Sequence, residues 1–169
     1  MKLMNSSEWS SLSEEQASLI RKHQLQFPIP VGAIAKELGI IVKRSTLAAG
    51  ISGEIKEEDG NIVIRINRHD VKERQRFTLA HEIAHFLLHR DRIGDGITDD
   101  ILYRSKLSDF METQANRLAA DILMPGHLIQ QKLNEFAQSM KLRDEETYEK
   151  LADVAEVSTT AIKIRLSKI

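Results

Sequence analysis

The chain has 169 residues, enough for one domain or for one domain with a small appendage. Hydrophobic residues make up 41% of the chain, which suffices for a core, and the net charge of −1 gives no overall signal for nucleic acid. There is no cysteine, so disulfides and thiolate metal sites are excluded. Any bound metal must therefore be held by His, Asp or Glu.

Targeting signals are not evident in this sequence. Residues Met1 to Ser10 lack the apolar segment of a signal peptide, and no run approaches the ~20 apolar residues of a membrane span. We therefore expect a cytoplasmic protein without a membrane partner.

The hydrophobic pattern predicts an α+β protein with a small sheet of about three strands, antiparallel or mixed. Ser13 and Gln16 have the spacing of a capping box, and Ser108 and Pro125 are placed to start two later helices. Asp59-Gly60-Asn61 suits a hairpin turn. The predicted elements are helices at 13–26 and 31–38, strands at 40–43, 51–56 and 62–66, a helix at 71–90, a loop at 91–107 over or beside the site, helices at 109–123 and 125–137, a linker at 138–143, and helices at 144–155 and 158–168. We expect residues 1–137 to form the main domain and 138–169 a helical segment packed on it.

The most informative motif is His81-Glu82-Ile83-Ala84-His85, which lies within the helix predicted at 71–90. Histidines at positions i and i+4 lie on the same helix face, so their two imidazoles can bind one metal ion. Glu82 follows the first histidine and can reach a water on that metal, as in the HExxH pattern of zinc peptidases. The alternative is a buried helix whose histidines are incidental.

A catalytic zinc normally has a third protein ligand. His89 lies roughly 6 Å along the helix axis from His85, so one ion cannot easily bind all three histidines. We favour an interaction of His89 with carbonyls at the helix end over a role as third ligand. Glu112, on a later helix, is the better candidate, and Asn116 at i+4 from it can hydrogen-bond a ligand imidazole. Glu112 can equally be a solvated charge, and spacing alone leaves both interpretations open.

Four segments between residues 51 and 125 resemble the ImmA/IrrE family of small bacterial and phage metallopeptidases. They are Ile51-Ser-Gly-Glu, Ile62-Val-Ile-Arg-Ile-Asn67, Arg76-Phe-Thr-Leu-Ala-His-Glu-Ile-Ala-His-Phe-Leu-Leu-His89 and Glu112-x-x-Ala-Asn-Arg-Leu-Ala-Ala-Asp-Ile-Leu-Met-Pro125. The resemblance covers about half the chain. It implies a zincin-like fold, in which the sheet packs on the HExxH helix and on a helix bearing the third ligand.

The resemblance also implies a site and an activity. In the family, the residues matching His81, His85 and Glu112 bind the metal, and the residue matching Glu82 is the catalytic base. Zn²⁺ suits this gluzincin-type set, while Mn²⁺ or Fe²⁺ remain possible. The implied activity is endopeptidase cleavage of a regulatory protein, such as a helix-turn-helix repressor of a mobile element or a stress response. The strand at 62–66 is expected to pair with an extended substrate.

Peptide hydrolysis also needs a group that stabilises the oxyanion beside the metal. Tyr103 and His127 are the candidates, with Arg104 and Tyr148 as further nominees. For each of them, the interpretation as an ordinary surface residue is favoured, because any chain exposes many polar residues.

The last two predicted helices resemble a helix-turn-helix, and Lys163, Arg165 and Lys168 give the second one a basic character. They raise the possibility of DNA binding, although three basic residues favour a tail that only packs on the main domain. Two rival functions follow. One is a DNA- or protein-binding regulator with a vestigial metal site, and the other is the toxin of a toxin–antitoxin pair whose partner resembles a repressor.

Overall fold

Helices surround one small mixed sheet in this protein. The computed structural model describes residues 3–94, 96–98, 106–139 and 143–167, without the side chains of 106–108. The helices are α1 Ser7–Ser10, α2 Glu14–Arg21, α3 Val31–Glu37, α4 Lys72–Leu88, α5 Lys106–Leu123, α6 Gly126–Ser139, α7 Asp144–Ala155 and α8 Thr159–Leu166. The strands are β1 Ile41–Ser45, β2 Gly53–Glu58, β3 Asn61–Asn67 and β4 Ile97–Thr98, and a 3₁₀ turn spans Arg90–Arg92. The predicted α+β class is confirmed.

The sheet has the strand order β1-β3-β2-β4. Strands β2 and β3 form an antiparallel hairpin, β1 runs parallel to β3, and β4 runs antiparallel to β2. The hairpin turn lies where the sequence predicts it: Asp59 and Gly60 both have positive φ, 50° and 80°, as the tightest hairpin turns require. β4 was missed because it has two residues and follows a Gly-rich stretch.

Strand β3 is an interior strand, which corrects one expectation from the sequence. It pairs with β1 on one side and with β2 on the other, so its main chain has no open edge for a substrate. The reason is that β1, which precedes the hairpin, adds to the sheet in parallel beside β3. The resemblance-based pairing of a peptide with residues 62–66 is therefore wrong.

The core lies between the sheet and helices α4 and α5. Ile55 and Ile64 face each other across β2 and β3, and both are fully buried. Helices α4 and α5 make the most extensive contact between any two described elements. Small residues with no exposed surface lie on both helices: Ala80 and Ala84 on α4, and Ala115 and Ala119 on α5. Because alanine side chains are short, the two helix backbones can approach closely.

Several predicted helix boundaries differ from those observed. Helix α2 ends at Arg21, earlier than expected. Gln24, which was predicted to lie in this helix, donates from its side-chain amide to the main-chain carbonyls of Asp121 and Ile122. Helix α5 begins at Lys106, so Ser108 lies inside its first turn and is not the predicted cap. Among the described helices, none combines the length and the apolarity needed to cross a membrane.

A buried ion pair attaches the C-terminal helix to the rest of the protein. Arg165 on α8 is 4% exposed, and its Nη1 lies 3.1 Å from Oδ1 of Asp121 on α5. The same guanidinium donates to the main-chain oxygens of Met124 and Met4. Asp121 also accepts from the main-chain N–H of Ser6. The carboxylate of Asp121 thus joins the N-terminal segment, α5 and α8.

This burial corrects the assignment of Arg165 to a nucleic-acid surface. A buried cation requires a nearby anion and hydrogen-bond acceptors, and the guanidinium of Arg165 has both inside the protein. It is therefore not available at the surface. Lys163 lies at the surface, where its ammonium pairs with Glu145 at 2.7 Å. Lys168 lies outside the described residues. The boundary between a domain at 1–137 and a segment at 138–169 stays a prediction.

We expect Arg165→Ala to lower the free energy of unfolding by about 3–5 kcal/mol, because it removes the cation beside a buried carboxylate. Lys163→Ala is the matched control on the same helix, and it should cause a much smaller loss, since surface ion pairs contribute little. Urea denaturation monitored by circular dichroism measures both. Equal losses in the two variants would show that the buried pair does not secure α8.

Candidate metal centre

Three side chains from two helices converge on one point. His81 and His85 lie one turn apart on α4, and Glu112 reaches them from α5. His81 Nε2 is 2.8 Å from Glu112 Oε2, and His85 Nε2 is 2.9 Å from Glu112 Oε1. One ligand atom from each residue lies within 4.8 Å of the others, and all three residues are buried. Glu112 is therefore buried, which excludes the interpretation as a solvated charge.

The orientation of His81 is set by Asn116, which lies one turn beyond Glu112 on α5. The Oδ1 atom of Asn116 is 2.8 Å from Nδ1 of His81. An amide oxygen only accepts hydrogen bonds, so Nδ1 of His81 carries the proton. The other ring nitrogen, Nε2, is then the one that faces Glu112 and would bind a metal. The structure places Asn116 where the sequence suggested.

The pKa values of His85 and Glu112 are both shifted in the direction that favours metal binding. Burial lowers the pKa of His85 below its ordinary value, which favours the neutral imidazole. Burial alone would raise the pKa of Glu112, but the imidazoles of His81 and His85 lower it well below its ordinary value. A neutral imidazole and an ionised carboxylate are the forms that bind metal.

The donor set fits a divalent cation. Two imidazole nitrogens and one carboxylate oxygen are the three protein ligands common at catalytic zinc, which leaves one position for water or substrate. Ligand atoms at Zn²⁺ lie about 2.0–2.2 Å from the ion, so the compact cluster of His81, His85 and Glu112 can surround one ion. The same nitrogen and oxygen donors also suit Mn²⁺ or Fe²⁺.

Glu82 lies beside the cluster, on α4, and it is completely buried. Strand β2 passes close to it at Gly53, where a Cβ atom would lie 3.5 Å from Oε1 of Glu82 and would overlap the methyl group of Thr78. Glycine at this position therefore lets β2 lie against the helix that carries Glu82. The resemblance included Gly53, but no pattern in the sequence showed why it is needed.

His89 does not interact with helix-end carbonyls through its ring, so that expectation is wrong. The residue is 7% exposed; its Nδ1 lies 2.9 Å from Nδ1 of His85, and its Nε2 lies 2.8 Å from Oε1 of Gln114. Both ring nitrogens are engaged because the end of α4 is covered by α5. Sequence reasoning missed Gln114, and only the histidine spacing of four after His85 hinted at a role for His89.

Two of the four oxyanion candidates, His127 and Tyr148, lie among the described residues. Tyr103 and Arg104 lie outside the described residues, so their roles stay predictions. His127 hydrogen-bonds the main-chain oxygen of Gln24, next to the end of α5 opposite Glu112. Tyr148 lies on α7, with the ammonium of Lys163 5.8 Å from its ring centre. His127 and Tyr148 therefore have contacts that do not involve the cluster.

A family model described as the IrrE N-terminal-like domain, Peptidase M78, matches residues 35–167. The chain belongs to this family. The match includes α4, α5 and the C-terminal helices, and it runs through the boundary predicted near residue 138.

Two curated relatives of the IrrE-like chain are radiation response metalloproteases named IrrE. The one from Deinococcus deserti is 40% identical over 108 residues, which are 63% of this chain and 36% of the relative. The one from Deinococcus radiodurans is 39% identical over 108 residues, which are 63% of this chain and 31% of the relative. The alignment thus spans about a third of these longer proteins.

A solved structure shares the fold of the IrrE-like chain. It is a Mycobacterium tuberculosis transcriptional regulator, with a TM-score of 0.59 and 14% sequence identity. The similarity covers 95% of this chain and 49% of the regulator. At this identity the likeness supports the fold alone, and it agrees with the zincin-like α+β architecture predicted from the sequence.

We expect Gly53→Ala to weaken the packing of β2 on α4, because the added methyl group would overlap the methyl group of Thr78. The free energy of unfolding should fall by about 1–3 kcal/mol, as measured by urea denaturation. Gly32→Ala is the matched control: it adds the same methyl group in α3, where no atom lies within 4 Å. A Gly53→Ala protein as stable as the control would contradict the close packing.

Proposed function

We propose that this chain is a zinc-dependent endopeptidase whose metal is held by His81, His85 and Glu112. The observation that carries the proposal is the buried convergence of these three side chains, within 4.8 Å, beside the buried carboxyl group of Glu82. Membership of the IrrE-like family and the names of the Deinococcus relatives support a metalloprotease.

Each residue has a separate task in peptide hydrolysis. A zinc ion bound here would supply Lewis acidity, which activates water and polarises the scissile carbonyl. Glu82 accepts a proton from the attacking water and returns it to the leaving amine, as a general base and then a general acid. Its burial keeps that proton from bulk water. His81 and His85 are held by α4, so their orientation does not depend on a flexible loop.

The proposed substrate is a regulatory protein, such as a helix-turn-helix repressor that controls a mobile element or a stress response. The resemblance to ImmA/IrrE peptidases suggests this class, and the relatives are named for a radiation response. Nucleic-acid binding through α8 is less well supported, because Arg165 is buried and Lys163 is paired with Glu145. No observation favours the toxin alternative.

We expect the purified chain to bind about one Zn²⁺, and Glu112→Ala to lose it or to hold it much more weakly, because a three-ligand site becomes a two-ligand site. Glu82→Gln is the matched control, since Glu82 is not among the three ligands and its substitution should preserve the metal. Elemental mass spectrometry after equilibrium dialysis against zinc measures the stoichiometry. Zinc retained by Glu112→Ala would require another third ligand.

Glu82→Gln should abolish proteolysis, because a glutamine side chain cannot accept the proton of the attacking water. A loss of at least about 10²-fold is expected for removal of a general base. Mass spectrometry of new protein N-termini, in host cells that express the wild type or Glu82→Gln at equal levels, reveals the substrate directly. Identical sets of new termini in both cultures would rule out the proposed peptidase mechanism.

A further inference from the structure

We infer that His89 and Gln114 form a hydrogen-bonded relay that positions His85 as a metal ligand. Neither residue belongs to the ligand set, and neither follows from the HExxH pattern. The inference rests on the proposed metal site and adds two positioning residues to it. It is carried by two short contacts, His85 Nδ1 to His89 Nδ1 and His89 Nε2 to Gln114 Oε1.

The direction of the relay follows from the chemistry of its last member. The amide oxygen of Gln114 only accepts, so the proton of His89 is on Nε2. A neutral His89 then presents Nδ1 as an acceptor, and the Nδ1–H of His85 donates to it across 2.9 Å. His85 is left with Nε2 as its ligand atom, and this nitrogen is the one beside Glu112. The relay thus selects the tautomer that a metal site needs.

His89 itself is in the wrong place to bind the same ion. It approaches His85 from the Nδ1 side of the ring, whereas Glu112 lies at Nε2. Its position one turn beyond His85 adds roughly 6 Å along the helix axis. Both nitrogens of this buried ring have partners, which offsets the cost of removing a polar side chain from water. Positioning therefore explains both its burial and its contacts.

The arrangement at His85 parallels the one at His81. In both cases Nδ1, the outer ring nitrogen that faces away from Glu112, is held by a side-chain amide of α5. Asn116 holds Nδ1 of His81 directly, and Gln114 holds Nδ1 of His85 through His89. Groups that fix the outer nitrogen of a ligand histidine typically change metal affinity by 10–100-fold when they are removed.

A matched pair of substitutions at Gln114 tests the relay. Gln114→Leu keeps the approximate size of the side chain but removes the acceptor, and it should weaken zinc binding about 10–100-fold. Gln114→Glu keeps an acceptor facing His89, and it should bind zinc at least as tightly as the wild type. His89→Phe removes both hydrogen bonds and should match Gln114→Leu. Competition with a chromophoric zinc chelator at fixed pH gives the affinities, and urea denaturation of each metal-free variant confirms that it is folded.

A second readout separates positioning from packing. In the zinc-loaded wild type, nitrogen-15 NMR of the imidazole rings should show His89 protonated at Nε2 and not at Nδ1. In Gln114→Leu this preference should be reduced, whereas a purely structural role would leave the tautomer unchanged. A wild-type His89 protonated at Nδ1 would overturn the relay, because it could not then accept from His85.

The outcomes distinguish the relay from the function on which it rests. If the wild type binds zinc and all three variants bind it equally well, the relay is wrong and the metal site stands. If Gln114→Leu and Gln114→Glu weaken binding equally, Gln114 acts through packing and the relay is again wrong. If the wild type binds no zinc, the proposed function fails and the relay fails with it.

Discussion

The contact between α4 and α5 is the constraint on which the candidate centre depends. Helix α4 supplies His81, His85 and Glu82, while α5 supplies Glu112 and two amides, one that contacts His81 directly and one that contacts His89. Hydrogen bonds of 2.8–2.9 Å across this boundary tolerate little sliding of one helix past the other. Alanines on both helices are fully buried.

Helix α5 carries two buried carboxylates, Asp121 and Glu112, whose partners differ in chemistry. Asp121 faces the guanidinium of Arg165, which stays charged under all conditions met by a folded protein, so this pair is a permanent attachment for α8. Glu112 faces the Nε2 atoms of two imidazoles, which can bind a metal ion. Helix α5 therefore carries one carboxylate, Asp121, that is paired with a permanent cation. It carries a second, Glu112, that can share a metal ion with two imidazoles. This difference separates the structural from the functional end of α5.

Local sequence patterns predicted the parts of the fold and site that depend on spacing within one element. The helical period was enough to predict that the two histidines of α4 share one face. The residue types around Gly60 were enough to predict the turn there. The partners of Arg165 and His89 could not be predicted in this way, because they come from segments far apart in the chain. Because Arg165 is basic, the sequence suggested that it is exposed. It is buried because it lies opposite Asp121, with which it forms an ion pair. The order of the strands likewise depends on where β1 docks, which no local pattern of β3 reveals.

The interior position of β3 limits how an extended peptide can join this sheet. Within the described sheet, the outer strands are β1 and the two-residue β4, and β2 is open for main-chain pairing only where β4 does not cover it. The β2 edge is the one that begins next to Glu82, and there Glu54 and Ile55 already pair with β4. A peptide that docks beside Glu82 as an added strand must therefore compete with the protein's own residues 97–98 for the same main-chain groups.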